Sequence, residues 1–382
     1  MKIPPHELAK ALADATAHAA GLSRENAELQ SVLGAMREAV VAVGPDERIT
    51  RVNAAAAPLL GMTADSARGR LLGESLRHPV ITRVARAGLS GKVDEGEMEI
   101  FVPAKNASPG GSSALARRLF QVRGTPMPGR TGAVLVLHDV TQLRRLEVVR
   151  QDFVANASHE IKTPVAAIQG VVETLADAPE MNETDRARFM DILTRQTSRL
   201  SKIIEDLLTL SRIERGLAVD LAGFSPEPLA PIGSAAVEAC APRANAAKVL
   251  IEADFDAGLA LPCDPSMIER ALVNLLENAI KYGGSGGRVA FRIARENNQA
   301  VLEVRDFGAG ISSEHLPRIF ERFYRTDKAR SREQGGTGLG LSIVKHIAES
   351  HGGRVSVESS PGAGATFRIH LPLAPPPAAL PA

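Results

Sequence analysis

The chain has 382 residues, too many for one compact core, and 44% of them are hydrophobic, which is ample for two to four folded units. Lys plus Arg and Asp plus Glu nearly cancel at a net charge of +1, aromatics make up 3% and Trp is absent, so a nucleic-acid partner has neither electrostatic nor base-stacking support. The two cysteines, Cys240 and Cys263, lack metal-ligand spacing, which excludes a disulfide scaffold and fits a reducing cytoplasmic setting.

No run approaches the ~20 apolar residues that a membrane-spanning helix needs, and the N-terminus has no signal-peptide apolar segment. The expectation is a soluble chain, with any membrane attachment left to a longer parent or to another protein. In chain order, the Ala-rich stretch from "HELAKALADATAHAAGLSRENAELQSVL" predicts a connecting or dimerising helix over 1–32, with Leu22, Leu29 and Leu33 spaced for a short coiled-coil seam. From 33 to 140 the texture changes to short β-like runs, "AVVAVG", "RITRVN", "EMEIFVP", "RRLFQVRG" and "GAVLVLHDV", which predict a small α+β unit with "KNASPGGSS" as a flexible insertion.

Helical periodicity then dominates from 141 to 216 and breaks once around "DAPEMNETD", where Asn182 followed by Asp185 reads as an N-cap with an acidic first turn. The prediction is an antiparallel helical hairpin. "FSPEPLAPIG" reads as a Pro-rich joint, and 224–373 alternates helices and strands: Asp264-Pro265 opens a helix and Asn297-Asn298 joins two strands. The residues 374–382, "APPPAALPA" with its leading Leu excluded, read as a disordered tail.

Within the first hairpin helix, "FVANASHEIKTP" places a histidine, a glutamate and a threonine just before a proline. Val154, Ala157, Ile161, Val165, Ile168, Val172 and Leu175 follow at steps of three or four and predict one buried stripe. His159 lies roughly 160° from its centre, so it faces water, with Thr163 within about 40° of it and Glu160 as its lateral neighbour. Taken alone, an exposed histidine reads as surface decoration. Pro164 changes the weighing, because its ring crowds the carbonyl of Glu160 at about 3 kcal/mol in a helix interior. An imidazole offers a nucleophilic nitrogen near neutral pH, and an adjacent carboxylate can orient it or accept its proton.

Further along, "NLLENAIKYG" puts Asn274 and Asn278 one helical turn apart, where their amide oxygens can meet a hard cation such as Mg²⁺, and adds Lys281 for phosphate. Leu275, Leu276 and Ile280 face a core on the opposite flank. "DFGAGI", Asp306 to Ile311, supplies a carboxylate acceptor beside Gly308 and Gly310, although such a string alone is a common turn. "IFERFYR", Ile319 to Arg325, combines an apolar clamp with Arg322 and Arg325, which a solvated helix end would explain equally well. "GGTGLGL", Gly335 to Leu341, feeds a helix N-terminus and can cradle phosphate on its backbone N–H groups.

These four segments in this order, preceded by the histidine helix, resemble the signature boxes of bacterial sensor histidine kinases over about Thr141 to Leu373. No G-x-x-x-x-G-K-[ST] occurs, so the site is not of the Walker type. The resemblance implies a multidomain α+β protein: a PAS-like α/β sensor, an antiparallel helical hairpin forming a dimeric four-helix bundle, and an α/β sandwich ATP-binding domain like that of certain chaperones and topoisomerases. "MREAVVAVGPDERITRVNAAAAPLLG" and "GAVLVLHDVTQLRRLE" resemble the start and end of a PAS module. "LRHPVITRVARAGLSG" with "RQDFVANASHEIKTPVAAIQG" resembles the phosphate-regulon branch.

By the same resemblance, His159 would be the phosphoacceptor, Glu160 its proton-managing neighbour, and Thr163 the end of an H-E-x-x-T pattern associated with removing phosphate from the partner. Asn278 with Asn274 would hold Mg²⁺, Lys281 would contact phosphates, and Tyr282 would cover the nucleotide. Asp306 would accept from the adenine amino group in a pocket shaped by Gly308 and Gly310. Gly336, Thr337, Gly338, Leu339 and Gly340 would line the triphosphate beneath a lid from about Thr326 to Gly336 containing "DKARSREQ". Arg322 or Arg325 would reach the γ-phosphate. The expected protein is a homodimer that phosphorylates His159 from Mg·ATP and passes the group to an aspartate of a response-regulator receiver domain. Its rivals are a regulator phosphatase acting through Thr163 and a non-catalytic ligand-sensing scaffold.

Overall fold

The computed structural model describes residues 5–103, 115–178, 180–213, 225–283, 286–326 and 336–373. The "KNASPGGSS" insertion, the "DKARSREQ" lid, Gly335 and the tail lie outside these residues. The chain divides into two compact units, Met1–Arg150 and Gln151–Ala382.

The first unit opens with helix α1 (Pro5–Ala35), whose Leu22 and Val32 are exposed, whereas the side chain of Leu29 is outside the described set. Strands β1 (Ala39–Val43) and β2 (Ile49–Val52) follow, then short helices α2 (Ala57–Leu60), α3 (Ala64–Ala67) and α4 (Leu72–Ser75), the longer α5 (Pro79–Leu89), and strands β3 (Asp94–Pro103), β4 (Leu115–Pro126) and β5 (Ala133–Asp139). The five strands form an antiparallel sheet in the order β2-β1-β5-β4-β3, with Val41 opposite Leu135, Val122 opposite Leu137 and Met98 opposite Phe120. Ile81 and Val84 of α5 are fully buried with these strand residues in one core. Each such side chain contributes about 1.5–3 kcal/mol on leaving water.

Asn53 ties the start of this unit together. Its Oδ1 accepts from the amides of Val40 at 2.9 Å and Ala56 at 3.0 Å, and its Nδ2 donates to the carbonyls of Leu33 at 3.1 Å and Glu38 at 2.9 Å. All of the side-chain amide's capacity is used, so burial at 7% exposure leaves nothing unpaired. At the other end, Asp139 accepts from the Thr141 amide at 3.0 Å and from Arg118 at 3.0 Å, and Thr141 Oγ1 accepts from the Leu119 amide at 2.9 Å.

Helix α6 (Thr141–Asp177) runs without a break through Pro164, and α7 (Glu183–Arg212) returns beside it. Asn182 caps α7 by accepting from the Asp185 amide at 2.8 Å, as its sequence position predicts. The stripe expected on α6 is only partly covered: Val154 is 56% and Val172 52% exposed, and the buried residues of this helix are Pro164 and Val171. A groove of about 440 Å³ lined by Phe153, Val154, Ala157, Ile161, Leu207 and Leu208 remains on the outer side of the hairpin. Two helices alone cannot enclose a stripe that wide, so the apolar surface needs a further partner.

The lobe that follows contains β6 (Pro226–Pro228), α8 (Leu229–Ala247), β7 (Leu250–Phe255), β8 (Ala260–Pro262), α9 (Pro265–Gly283), β9 (Arg288–Glu296), β10 (Gln299–Asp306), α10 (Gly340–Ser350), β11 (Arg354–Ser359) and β12 (Ala365–Pro372). The Pro-rich joint is thus shorter than expected: Pro226 to Pro228 pair antiparallel with β8, and Pro231 sits in the first turn of α8, where a missing N–H leaves no helical bond unmade. The main sheet has the order β11-β12-β10-β9-β7, antiparallel except for the parallel pair β7 and β9. The buried faces of β9, β10 and β12 share one core with α8, α9 and α10, built around Leu272, Leu276, Phe291, Leu302, Ile343 and Ile369.

His351 locks two of these helices. It is 1% exposed, its Nδ1 bonds the Ile347 carbonyl at 2.7 Å, and its Nε2 accepts from the Asp264 amide at 3.1 Å. Asp264 in turn caps α9 by accepting from the amides of Ser266 at 2.9 Å and Met267 at 3.2 Å. The C-terminus of α10 and the N-terminus of α9 are therefore held by one neutral imidazole. Burial depresses its pKa below the ordinary 6.5, and burial with nearby Arg354 and Arg368 does the same for His370. The unfolded chain then binds more protons than the folded one in this range, so stability is full above about pH 6.5 and falls as the pH drops through the depressed folded values. Thermal or urea unfolding between pH 7.5 and 5 should show this loss, and His351→Leu should shrink it while lowering stability by about 1–3 kcal/mol at pH 7.5.

Candidate functional site

Helix α9 presents Arg270, Asn274, Glu277, Asn278 and Lys281 along one side while Leu272, Leu275, Leu276 and Ile280 enter the core. Asn274 is 8% exposed and lies against the start of α10: a Cβ built on Gly340 would stand 3.2 Å from its Oδ1. The Asn274 amide oxygen expected to hold a cation and the helix N-terminus expected to hold phosphate therefore meet at one place. Such a donor set, hard oxygens beside backbone N–H groups, fits a magnesium-bound triphosphate. Lys281 Nζ sits 4.7 Å above the half-exposed ring of Tyr282 at the end of the same helix.

Asp306 ends β10 at 5% exposure, and one carboxylate oxygen accepts from the Gly308 amide at 2.9 Å. Burial pushes its carboxyl above the ordinary range, and the backbone bonds from Gly308 and Ala365 offset part of that push. Gly308 is required by space: a Cβ there would lie 2.4 Å from the Tyr282 carbonyl oxygen and 2.7 Å from the Gly283 Cα. The end of α9 and the Asp306 turn are thereby brought into contact, with Gly310 (φ +70°) completing the turn.

The loop 336–340 is organised by two contacts. Thr337 Oγ1 accepts from the Leu339 amide at 3.2 Å, and the Gly338 carbonyl accepts from the Phe323 amide at 2.9 Å. Gly338 has φ +75°, and a Cβ there would stand 2.9 Å from the Phe323 Cα. Phe323 itself has φ +60°, a conformation that costs a bulky residue about 1–3 kcal/mol. Its ring lies 5.9 Å from that of Phe153 on α6, and the Arg322 guanidinium is 5.4 Å above the same Phe153 ring.

His159 and Thr163 are exposed on α6, as their spacing predicts, and Thr163 Oγ1 donates to the His159 carbonyl at 3.1 Å. Glu160 is turned elsewhere. Its Oε2 accepts from Arg199 of α7 at 2.8 Å and from Arg325 at 3.0 Å, and Arg325 also donates to the Gly336 carbonyl. The two arginines proposed from sequence thus take different places, Arg322 over an aromatic ring and Arg325 between the histidine helix and the glycine loop.

Sequence reading missed the α7 side of this arrangement. Asp206, 2% exposed, accepts from the Thr337 hydroxyl at 2.9 Å and from Arg270 at 3.3 Å. Burial pushes its carboxyl upward, against the opposing effects of Thr337, Lys202 and Arg270. Lys202 and Arg243 both pair with Glu277 of α9, and burial pulls the Lys202 ammonium below its ordinary range. The available signal was a carboxylate in "IIEDLLTL", Asp206, three residues after Ile203 and four before Leu210, both of which are buried.

Residues 263–375 match the family described as histidine kinase-, DNA gyrase B-, and HSP90-like ATPase, residues 149–216 the His Kinase A (phospho-acceptor) domain, and residues 33–145 the PAS fold. The sensor-like histidine kinase SenX3 of Mycobacterium tuberculosis is 37% identical over 290 residues, covering 76% of this chain and 69% of that protein. The phosphate regulon sensor protein PhoR of Pseudomonas aeruginosa is 32% identical over 344 residues, covering 90% of this chain and 74% of that protein.

Gly308→Ala forces apart the α9 terminus and the Asp306 turn. It should lower stability by about 1–3 kcal/mol in thermal unfolding, the range for an overpacked site. An unchanged melting profile would show that the close approach is not needed.

Proposed function

The chain belongs to the sensor histidine kinases, and from that premise we propose that His159 receives the γ-phosphoryl group of Mg·ATP and passes it to an aspartate of a response-regulator receiver domain. The observation that carries this reading is the bond from Arg325 to Glu160 at 3.0 Å, which brings the glycine loop's neighbour to the residue beside the exposed His159. A nitrogen of the imidazole attacks the γ-phosphorus, the bond to the β–γ bridging oxygen breaks, and ADP leaves with that oxygen. The proton displaced from the ring passes to the Glu160 carboxylate or to water. Receiver phosphorylation then moves the phosphoryl group from ring nitrogen to carboxylate oxygen.

In this assignment Asp306 receives the adenine amino group, Gly308 and Gly310 shape its pocket, and Tyr282 covers the base. Lys281 and the backbone of Gly336, Thr337, Gly338, Leu339 and Gly340 hold the phosphates, and Arg325 rather than Arg322 reaches the terminal one. Asn274 and Asn278 would hold Mg²⁺, which supplies charge neutralisation for the phosphates. Phosphoryl transfer asks mainly for alignment and neutralised charge, and these residues can provide both.

We read the chain as a connecting helix over 1–32, a sensory module over 33–140, the hairpin over 141–216 and the ATP-binding domain over 224–373. The open groove on α6 and α7 supports a homodimer in which a second hairpin covers Val154, Ala157 and Ile161. The 32% identity to the phosphate regulon sensor supports the phosphate-responsive branch. Thr163, exposed beside His159, supports an added role in positioning water for dephosphorylation of the regulator.

Incubation with γ-labelled ATP should give acid-labile, base-stable label on wild type and none on His159→Gln; label persisting on that variant would exclude His159 as acceptor. Thr163→Ala should slow dephosphorylation of a phosphorylated receiver by roughly 10- to 100-fold while leaving labelling in place. Equal dephosphorylation rates would remove Thr163 from that step.

A further inference from the structure

Two carboxylates of the hairpin end on the groups through which the ATP-binding lobe would meet phosphate. Glu160 is held by Arg325 and Arg199, and Asp206 by Thr337 and Arg270. These are not surface pairs. The side chains of Glu160, Arg199 and Arg325 are 14%, 10% and 6% exposed, and that of Asp206 is 4%, so the bonds formed only after water was shed.

The Glu160 cluster is also unbalanced. Two guanidinium groups share one carboxylate, which leaves a surplus positive charge, and Arg199 Nε is buried without a hydrogen-bond partner among the described residues. A phosphate, with more charge and more acceptor oxygens than a carboxylate, satisfies such a cluster better. At the loop, the Thr337 hydroxyl already accepts from the Leu339 amide, so its single proton serves one acceptor, and here that acceptor is Asp206.

We propose that Glu160 and Asp206 stand in for phosphate groups, so that the docked hairpin and a nucleotide triphosphate are alternative partners of Arg325 and Thr337. By capturing Arg325, the triphosphate leaves Glu160 with Arg199 as its one remaining cation, and so makes its carboxylate more basic toward the neighbouring His159. The base is thus masked until the phosphoryl donor is in place. This rests on the reading of the 336–340 loop as the phosphate site and of His159 as acceptor. The guanidinium and the hydroxyl each exchange one oxyanion for another, so few polar groups go unpaired. The conflict is one of like charge: Asp206 beside the loop opposes phosphates and has no quarrel with adenosine.

The test uses the full chain and titration calorimetry with the non-hydrolysable β,γ-imido analogue of ATP in magnesium, and separately with adenosine. Asp206→Asn should tighten the triphosphate analogue by roughly fivefold or more and leave adenosine within about twofold. Hydrogen exchange on the wild type needs no substitution: the analogue should speed exchange of α7 amides around Lys202 to Leu210. Triphosphate affinity unchanged or weakened in Asp206→Asn, with α7 exchange unchanged or slowed, would overturn the inference while wild-type binding and His159 labelling leave the proposed reaction standing. A wild type that binds no nucleotide would remove the reading of the site, and the inference with it.

Discussion

The whole nucleotide side of this protein depends on how clustered charges share their partners. Lys202, Arg243, Arg270, Arg199 and Arg325 all lie where the hairpin meets α9 and the glycine loop, and every one of them is paired to Glu160, Asp206 or Glu277. Moving charges out of water is expensive; it is most nearly complete at Glu160, Arg199, Arg325 and Asp206, while Lys202, Arg243 and Arg270 keep part of their surface in water, and each carboxylate takes two partners. The arrangement is therefore cooperative. Removing Glu160 or Glu277 leaves two cations without their shared acceptor, whereas removing Asp206 leaves Arg270 and the Thr337 hydroxyl without theirs.

Much of the lobe was legible because its signals are local. Asp264 before Pro265, Asn182 before Asp185, and the Asn297-Asn298 turn each act within a few residues, and each forms the cap or turn its chemistry predicts. The glycines were legible as a pattern but not as individual contacts. That Gly308 must lack a Cβ follows from the carbonyl of Tyr282, which only the folded chain brings there.

What sequence did not yield was anything that depends on two distant segments. Asp206 lies 131 residues from Thr337, and although its step beside Ile203 and Leu210 marks it as inward-facing, the helix alone does not name its partner. Glu160 was legible as a neighbour of His159, yet its partners come from α7 and from a turn 165 residues away. The α6 stripe shows the opposite failure: periodicity predicted seven buried residues, but none of them is fully buried and the residues that are, Pro164 and Val171, lie outside it, because periodicity cannot say how many helices are there to cover a face. Val154 and Val172 stay exposed for that reason.

Phe323 holds an aromatic side chain in a left-handed backbone conformation, kept there by the Gly338 carbonyl and the ring of Phe153. A turn wound against its own preference stores about 1–3 kcal/mol that its surroundings must hold in place. That stored strain lies beside the 336–340 loop, so any rearrangement that lets Phe323 return to an ordinary conformation is helped by its release.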